Sequence, residues 1–135
     1  MSSLVSVIIT TKNESAVIKR LLTSLRDQSY KNIEIILIDN NSSDATTKIA
    51  KKFTKKIFNF GPERSSQRNF GAKIAKGSLL LFLDADMELS RKVIEESVNS
   101  INSSKTVGGV IIPEKSVAKT FWEKVVSENP TYIDG

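Results

Sequence analysis

The chain contains no cysteine and no histidine. The first absence excludes disulfides, thiolate nucleophiles and cysteine-ligated metals. The second removes the commonest general base and transition-metal ligand, so acid–base work falls to carboxylates, lysine or tyrosine. There is no low-complexity tract, linker or internal repeat. No apolar run approaches the roughly 20 residues that would span a bilayer. The N-terminal stretch MSSLVSVIITTKNES has no basic region ahead of its apolar run, so it does not read as a signal peptide, and a cytoplasmic location is expected.

What is present fits one domain with a real core: 135 residues, 39% hydrophobic and 26% charged. Against 15 Asp and Glu stand 20 Lys and Arg, for a net charge of +5. That balance favours anionic partners such as nucleotides, phosphates, nucleic acid or a membrane surface, without choosing among them.

The chain is arranged around residues 77–89, GSLLLFLDADMEL. Leu79 to Leu83 run without a polar break between Gly77 and an acidic cluster, which reads as a strand buried on both faces. In an extended segment residues two apart point the same way, so Asp84 and Asp86 would present two carboxylates on one side of the strand's mouth. Such a pair repels itself unless a cation sits nearby. Hard divalent ions such as Mg2+ or Mn2+ take oxygen ligands, with phosphates completing the shell. A solvated strand end is the plain alternative for this cluster taken alone.

Before it, Leu4–Thr10 reads as a first strand. Val17, Ile18, Leu21, Leu22 and Leu25 recur at helical spacing, predicting a helix over 14–28 with Asn13 as N-cap and Glu14 in the first turn. Ile33–Asp39 is a second strand, ending in the polar cluster 39–44, where a serine can cap a helix over 44–54. Lys56–Phe60 is a short third strand, broken by Gly61-Pro62. Arg64–Lys76 is a third helix, with Arg64 and Arg68 four apart on one face. Gly71 inside it costs about 1 kcal/mol against alanine, and is either simply tolerated or there to let the helix approach the sheet. A fourth helix capped by Ser90 follows over 90–102, then a strand at Thr106–Ile112 and a last helix at Lys119–Glu128.

Strands alternating with helices predict a doubly wound parallel sheet with helices on both faces. Ligands in such sheets bind outside the carboxyl ends of the strands, where the winding reverses. The unusual polar residues fall there: 10–14 after the first strand, 39–44 after the second, 84–88 after the fourth, and Arg64 and Arg68 at the start of the helix feeding the fourth. An acid pair, an arginine pair and helix N-termini suit a diphosphate bridged by a metal. No Gly-rich dinucleotide fingerprint or Walker lysine loop is present, so those nucleotide modes fit poorly. Taken singly, Asp39 is also a plain turn residue, Ser42-Ser43-Asp44 a cap, and the arginines a solvated helix face.

In order, VSVIITTKNE, IEIILIDNNSSDAT, RSSQRNFGAKIAKG and LLLFLDADMEL resemble family 2 glycosyltransferases over about residues 4–112. The spacing of the four blocks is far more specific than any one of them. The resemblance implies a GT-A fold, a Rossmann-like three-layer α/β/α sandwich with a mostly parallel sheet. It implies metal-dependent, inverting transfer of a sugar from a UDP- or GDP-sugar to a saccharide, lipid-linked or protein acceptor, with no nucleic-acid partner. Thr10, Thr11 and Glu14 would line the nucleotide pocket, Asp39 would bond the base, and Arg64 and Arg68 would reach the base or diphosphate. Asp84 would touch the ribose with Ala85 beside it, and Asp86, with Asp84, would hold Mn2+ or Mg2+. Peripheral association with the inner face of a membrane is compatible with this.

The later acidic block that carries the catalytic base in that family has no match here, and FWEKVVSE resembles the lead-in to the acceptor half. The chain is therefore expected to be the donor-binding half of a truncated catalytic domain, residues 1–135 forming one unit, with the base beyond Gly135. Two other classes stay open. One is a nucleotide-sugar-binding module without turnover. The other is a haloacid-dehalogenase-type phosphatase, which also uses Asp-x-Asp at a strand end but usually after the first strand and followed by Gly-Thr.

Overall fold

Val5–Thr11 forms β1, a strand buried along its whole length. Its Val- and Ile-rich sequence suits a pleated, covered surface. β2 (Ile33–Asp39) pairs with one edge in parallel, from Val5↔Ile33 to Thr11↔Asp39. β4 (Leu79–Asp84) pairs with the other edge, also in parallel, from Val5↔Leu79 to Thr10↔Asp84. The short β3 (Ile57–Asn59) extends the sheet beyond β2, giving the order β3-β2-β1-β4. The computed structural model describes residues 2–103. Within them the winding runs outward from β1 to β3, then returns across the sheet to β4, so the switch point lies between β1 and β4.

Helices cover both faces. On one side, Val5, Val7 and Ile9 of β1 pack with α1 (Ile18–Arg26), with Ala50 of α2 (Thr46–Ala50), and with Val93, Ile94 and Val98 of α4 (Val93–Ser103). The buried stripe of α1 is Ile18, Leu21, Leu22 and Leu25, the i, i+3, i+4, i+7 pattern. Each such side chain contributes about 1.5–3 kcal/mol on burial. On the other side, Ile8, Ile36 and Ile38 lie beneath α3 (Arg64–Ile74), with Phe70, Ala72 and Ile74 packed on them. A Cβ added at Gly71 would come 2.5 Å from Ile8 Cγ2. Gly71 is thus the point where α3 meets β1, and the close-approach reading of that glycine is the correct one.

Several boundaries and one burial expectation change. β2 runs over the predicted residues, but α1 begins at Ile18 and α2 is five residues long. Neither has a side-chain cap, so Asn13 is not an N-cap and no serine of 42–43 caps α2. Asn13 instead adopts φ 53° and bonds across to the next loop. α4 starts at Val93, with Ser90 contributing its carbonyl, not its hydroxyl, to Val93 N–H. β4 is not buried on both faces: Leu81 and Leu83 are covered, while Leu80 is 36% exposed. The reason is that α3 packs over β1 and β2. The strand expected at 106–112 and the helix at 119–128 lie outside the described residues.

Two carboxylates are buried in the sheet, Asp39 at its carboxyl end and Glu34 at the other. Glu34, 8% exposed, lies at the amino end of β2. Its carboxylate accepts from Ser6 Oγ, from Lys76 N–H at 2.7 Å and from Lys56 Nζ, while Ser6 Oγ in turn accepts Gly77 N–H at 2.8 Å. A single carboxylate thus ties β1, β2, the entry to β3 and the entry to β4. Burial alone would raise its pKa, but the hydrogen bonds from Lys56, Ser6 and Lys76 and the Lys56 charge outweigh that and hold it at about 2.

A lowered folded-state pKa stabilises above the unfolded value and is lost as pH falls through the folded one. Glu34 should therefore stabilise fully above pH 4.5 and progressively less down to about pH 2. Glu34→Gln should lose about 1–3 kcal/mol at neutral pH, and its urea-unfolding stability should fall less steeply in that acid range. Parallel pH profiles for both proteins would contradict this assignment.

Candidate active site

The loops leaving β1 and β2 are built as one unit. Asn13 N–H donates to Ser42 Oγ at 2.8 Å, and Ser42 Oγ donates to Asp39 Oδ1 at 2.6 Å. In the same way, Glu14 N–H donates to Thr46 Oγ1 at 2.8 Å, and Thr46 Oγ1 donates to Asp44 Oδ1. Ser43 N–H returns to Asn13 Oδ1 at 2.8 Å, and Lys12 Nζ reaches Asn41 O at 2.9 Å. Asn13 and Asn41 both sit in the left-handed region, at φ 53° and 47°, which asparagine tolerates better than most residues. The Thr46 hydroxyl, against some desolvation, and then the amides of Thr46 and Ser15 hold the Asp44 carboxyl well below the usual range.

At the base of this unit, Thr11 and Asp39 are buried side by side at the ends of β1 and β2. Asp39 Oδ1 accepts from Thr11 Oγ1 at 2.6 Å as well as from Ser42 Oγ, and Oδ2 accepts Ser42 N–H at 2.8 Å. A carboxylate offers about four acceptor sites. These three bonds fill Oδ1 and leave one site on Oδ2. Thr10, beside them, is buried too.

Across the switch point, Asp84 ends β4. Arg68 Nη2 donates to its Oδ1 at 3.3 Å, and Arg64 Nη1 lies 3.8 Å from the same oxygen. The predicted meeting of the arginine pair with the acid cluster is therefore what the fold produces. The shared face expected for Asp84 and Asp86 is not: the chain turns at Ala85, closed by Met87 N–H to Asp84 O at 3.1 Å, so the two carboxylates are not related by strand pleating. Asp84 is half-buried, Ala85 is buried and Asp86 is exposed. Glu14 links the two halves of the site. Burial, then the charges of Asp86, Asp84 and Asp44, push its carboxyl up, with Arg64 opposing them. Acids from the β1, β2 and β4 loops thus lie within electrostatic reach of one another.

Among the described residues no three carboxylates are disposed as a ready-made metal cage. The exposed Asp86 and the half-buried Asp84 fit a hard divalent ion only as partial ligands, with other oxygens completing the shell. The turn also has a structural brace: Arg20 Nη2 donates to Asp86 O at 3.2 Å, and Arg20 Nε lies 3.8 Å from Glu88 Oε1.

Three residues that the sequence reading missed hold this arrangement. Gln67, 4% exposed, donates to Ile38 O at 3.0 Å and Thr11 O at 3.4 Å, which seats α3 on the ends of β1 and β2 between its two arginines. Thr46 is fully buried beneath the loops. Gln28 joins α1 to α4 by donating to Ser90 O and accepting Ile94 N–H. A glutamine between two arginines of a helix carries no sequence signal for this. The repeated hydroxyls of 42–47 did, and their partners in 13–15 were the missing half.

A family model described as "Glycosyl transferase family 2" matches residues 6–133. An uncharacterized glycosyltransferase of Rickettsia typhi, RT0329, is 36% identical over 104 residues, covering 75% of this chain and 33% of that protein. The crystal structure of Staphylococcus aureus TarS in complex with UDP-GlcNAc superposes with a TM-score of 0.67 at 27% identity, over 82% of this chain and 37% of that one. A mannosyltransferase from Pyrobaculum calidifontis, solved with GDP-Man and Mn2+, shares the fold with a TM-score of 0.68 at 22% identity, over 80% of this chain and 34% of that one. The chain spans about a third of the length of the curated relatives it matches.

The paired loops make a testable demand. Thr46→Val keeps shape but removes the hydroxyl that receives Glu14 N–H, and should cost about 1–3 kcal/mol in urea unfolding, whereas Thr46→Ser should cost less. Wild-type stability in the valine variant would show that the bridge between the loops carries no weight.

Proposed function

The chain belongs to glycosyltransferase family 2, and on that premise we propose that it holds a nucleoside diphosphate sugar across the carboxyl ends of β1, β2 and β4 for metal-dependent, inverting transfer of the sugar. The observation that carries this is the meeting of Arg64 and Arg68 with Asp84 at the switch point, beside Glu14 and the exposed Asp86. Two guanidinium groups at a half-exposed carboxylate are placed for a diphosphate, which Arg recognises through paired charge-assisted bonds. The remaining acceptor site on Asp39 suits one N–H of uracil or guanine, with Thr10, Thr11 and Glu14 lining the pocket. Both arginine contacts fall on Asp84 Oδ1, which leaves Oδ2 as the atom assigned to the ribose, beside Ala85.

Asp86, with Asp84, would hold Mn2+ or Mg2+, which when bound supplies Lewis-acid stabilisation of the departing nucleoside diphosphate. UDP-GlcNAc bound to TarS and GDP-Man with Mn2+ bound to the Pyrobaculum enzyme support this class of donor. Family membership sets the phosphatase alternative aside. Residues 2–103 serve the donor, and the acceptor site and its general base, worth about 10²–10⁴-fold in rate, lie outside them. Donor binding without a base of its own also covers the reading of this chain as a module without turnover.

Calorimetry with UDP and GDP, with and without Mn2+, tests the assignment. Metal alone should bind weakly, and metal should strengthen the binding of at least one nucleotide. Asp86→Ala should abolish that gain. Asp39→Asn should weaken the nucleotide about tenfold or more, since a buried group left unpaired costs about 1–3 kcal/mol. Metal-dependent affinity that survives Asp86→Ala, or indifference of both nucleotides to Asp39→Asn, would remove the residue concerned from the site.

A further inference from the structure

The four strands among the described residues are all parallel, so each helix-to-strand connection between them returns to the end of the sheet opposite the site. Those connections, with the helix ends that lead into them, are residues 26–32, 51–56 and 73–78. They carry Arg26, Lys31, Lys51, Lys52, Lys55, Lys56, Lys73 and Lys76, and Asp27 is their one acid. All of these cations except Lys56, which pairs with Glu34, are exposed. The loops at the other end, with the starts of α1 and α3, mix Lys12, Lys19, Arg20, Arg64 and Arg68 with Glu14, Asp44, Glu63, Asp86 and Glu88. The modest net charge of +5 therefore hides one strongly basic end.

Cations in a helix's last turn suit its dipole, which accounts for Arg26 in α1 and Lys73 in α3. Lys31 also serves a helix end, its Nζ donating to Arg26 O at 3.2 Å, but neither reason accounts for Lys52, Lys55 and Lys76, which lie past the helices. Between several of these cations is a recess of about 210 Å3 whose apolar walls are Leu25, Tyr30, Ile33, Ile35 and Phe53, rimmed by Arg26, Lys31 and Lys52. Arg26 lies over the Phe53 ring at 5.0 Å from its centre.

We propose that this basic pole docks on an anionic phospholipid surface. Clustered Lys and Arg are attracted to such a surface, each by about 1 kcal/mol near it. A bilayer interface offers apolar groups alongside its phosphates, and so matches the recess as well as the charge; a nucleic-acid duplex matches the charge alone. Docking in this sense leaves the carboxyl ends of the strands facing away from the bilayer, at about 23 Å for a seven-residue strand. The proposal is independent of the roles given to the site residues.

The test is sedimentation of the full chain with phosphatidylcholine vesicles, with and without phosphatidylglycerol. Binding should require the anionic lipid, weaken with salt, and be undiminished by inorganic phosphate at matched ionic strength. The variant Lys52→Glu, Lys55→Glu should lower partitioning on the order of tenfold or more. The charge-matched variant Lys12→Glu, Lys19→Glu, toward the carboxyl ends of the strands, should lower it much less. Thermal unfolding and UDP binding should stay unchanged in the first variant, which keeps failure of docking apart from failure of the fold or of the donor site. No binding to anionic vesicles, equal loss in both variants, or binding to duplex RNA at a salt concentration where vesicles do not bind would overturn the proposal.

Discussion

Both edges of β1 are occupied by parallel strands, and that one constraint orders the rest. A parallel neighbour cannot be reached by a hairpin, so each must be approached through a helix that crosses the sheet. One neighbour, β2, follows directly through α1. The other, β4, is reached only after the chain has gone out to β3 and returned over the opposite face through α3. The return brings the first two turns of α3, with Arg64 and Arg68, to the end of β4 at Asp84. Gly71 lets α3 lie against Ile8, and Gln67 fixes it to the carbonyls of Thr11 and Ile38. The positions of the arginines are thus consequences of how the sheet is wound.

The same winding sorts charge. Strand ends and the loops after them mix carboxylates with basic side chains, and the helix-to-strand returns gather lysines. At the carboxyl end, Glu14 is pushed up by its burial and its acidic neighbours, with Arg64 opposing. Acids crowded together disfavour one another's charge, and Arg64 offsets part of that at Glu14. At the amino end the one buried acid, Glu34, is fully engaged with Ser6, Lys56 and Lys76 and has a structural role.

Much of this was legible in the sequence, because period and composition report the elements directly. IEIILID gave β2 to the residue, and the apolar spacing of 17–25 gave the buried stripe of α1. The acidic strand ends and the arginine pair were legible as one cluster once the winding was inferred, and the spacing of four blocks carried the family. What failed depends on tertiary partners. Asn13 followed by Glu14 reads locally as a helix start, yet the asparagine's partner is Ser43, thirty residues away. Asp84-Ala85-Asp86 reads as extended because nothing in three residues announces the turn closed by Met87. Leu80 reads as buried because a continuous apolar run does not say how far a covering helix reaches. Glu34 was invisible, since a single glutamate within an apolar strand looks like an outward-facing residue.

The central claim is that the ligand lies across the β1–β4 switch point. Amide chemical-shift mapping of the chain during titration with UDP or GDP in the presence of Mg2+ tests it without altering a residue. The account predicts that the perturbed amides cluster in residues 10–14, 39–44, 64–68 and 84–88, with the helix-to-strand returns unmoved. Perturbations confined to 26–32, 51–56 and 73–78, or none at all at saturating nucleotide, would contradict it.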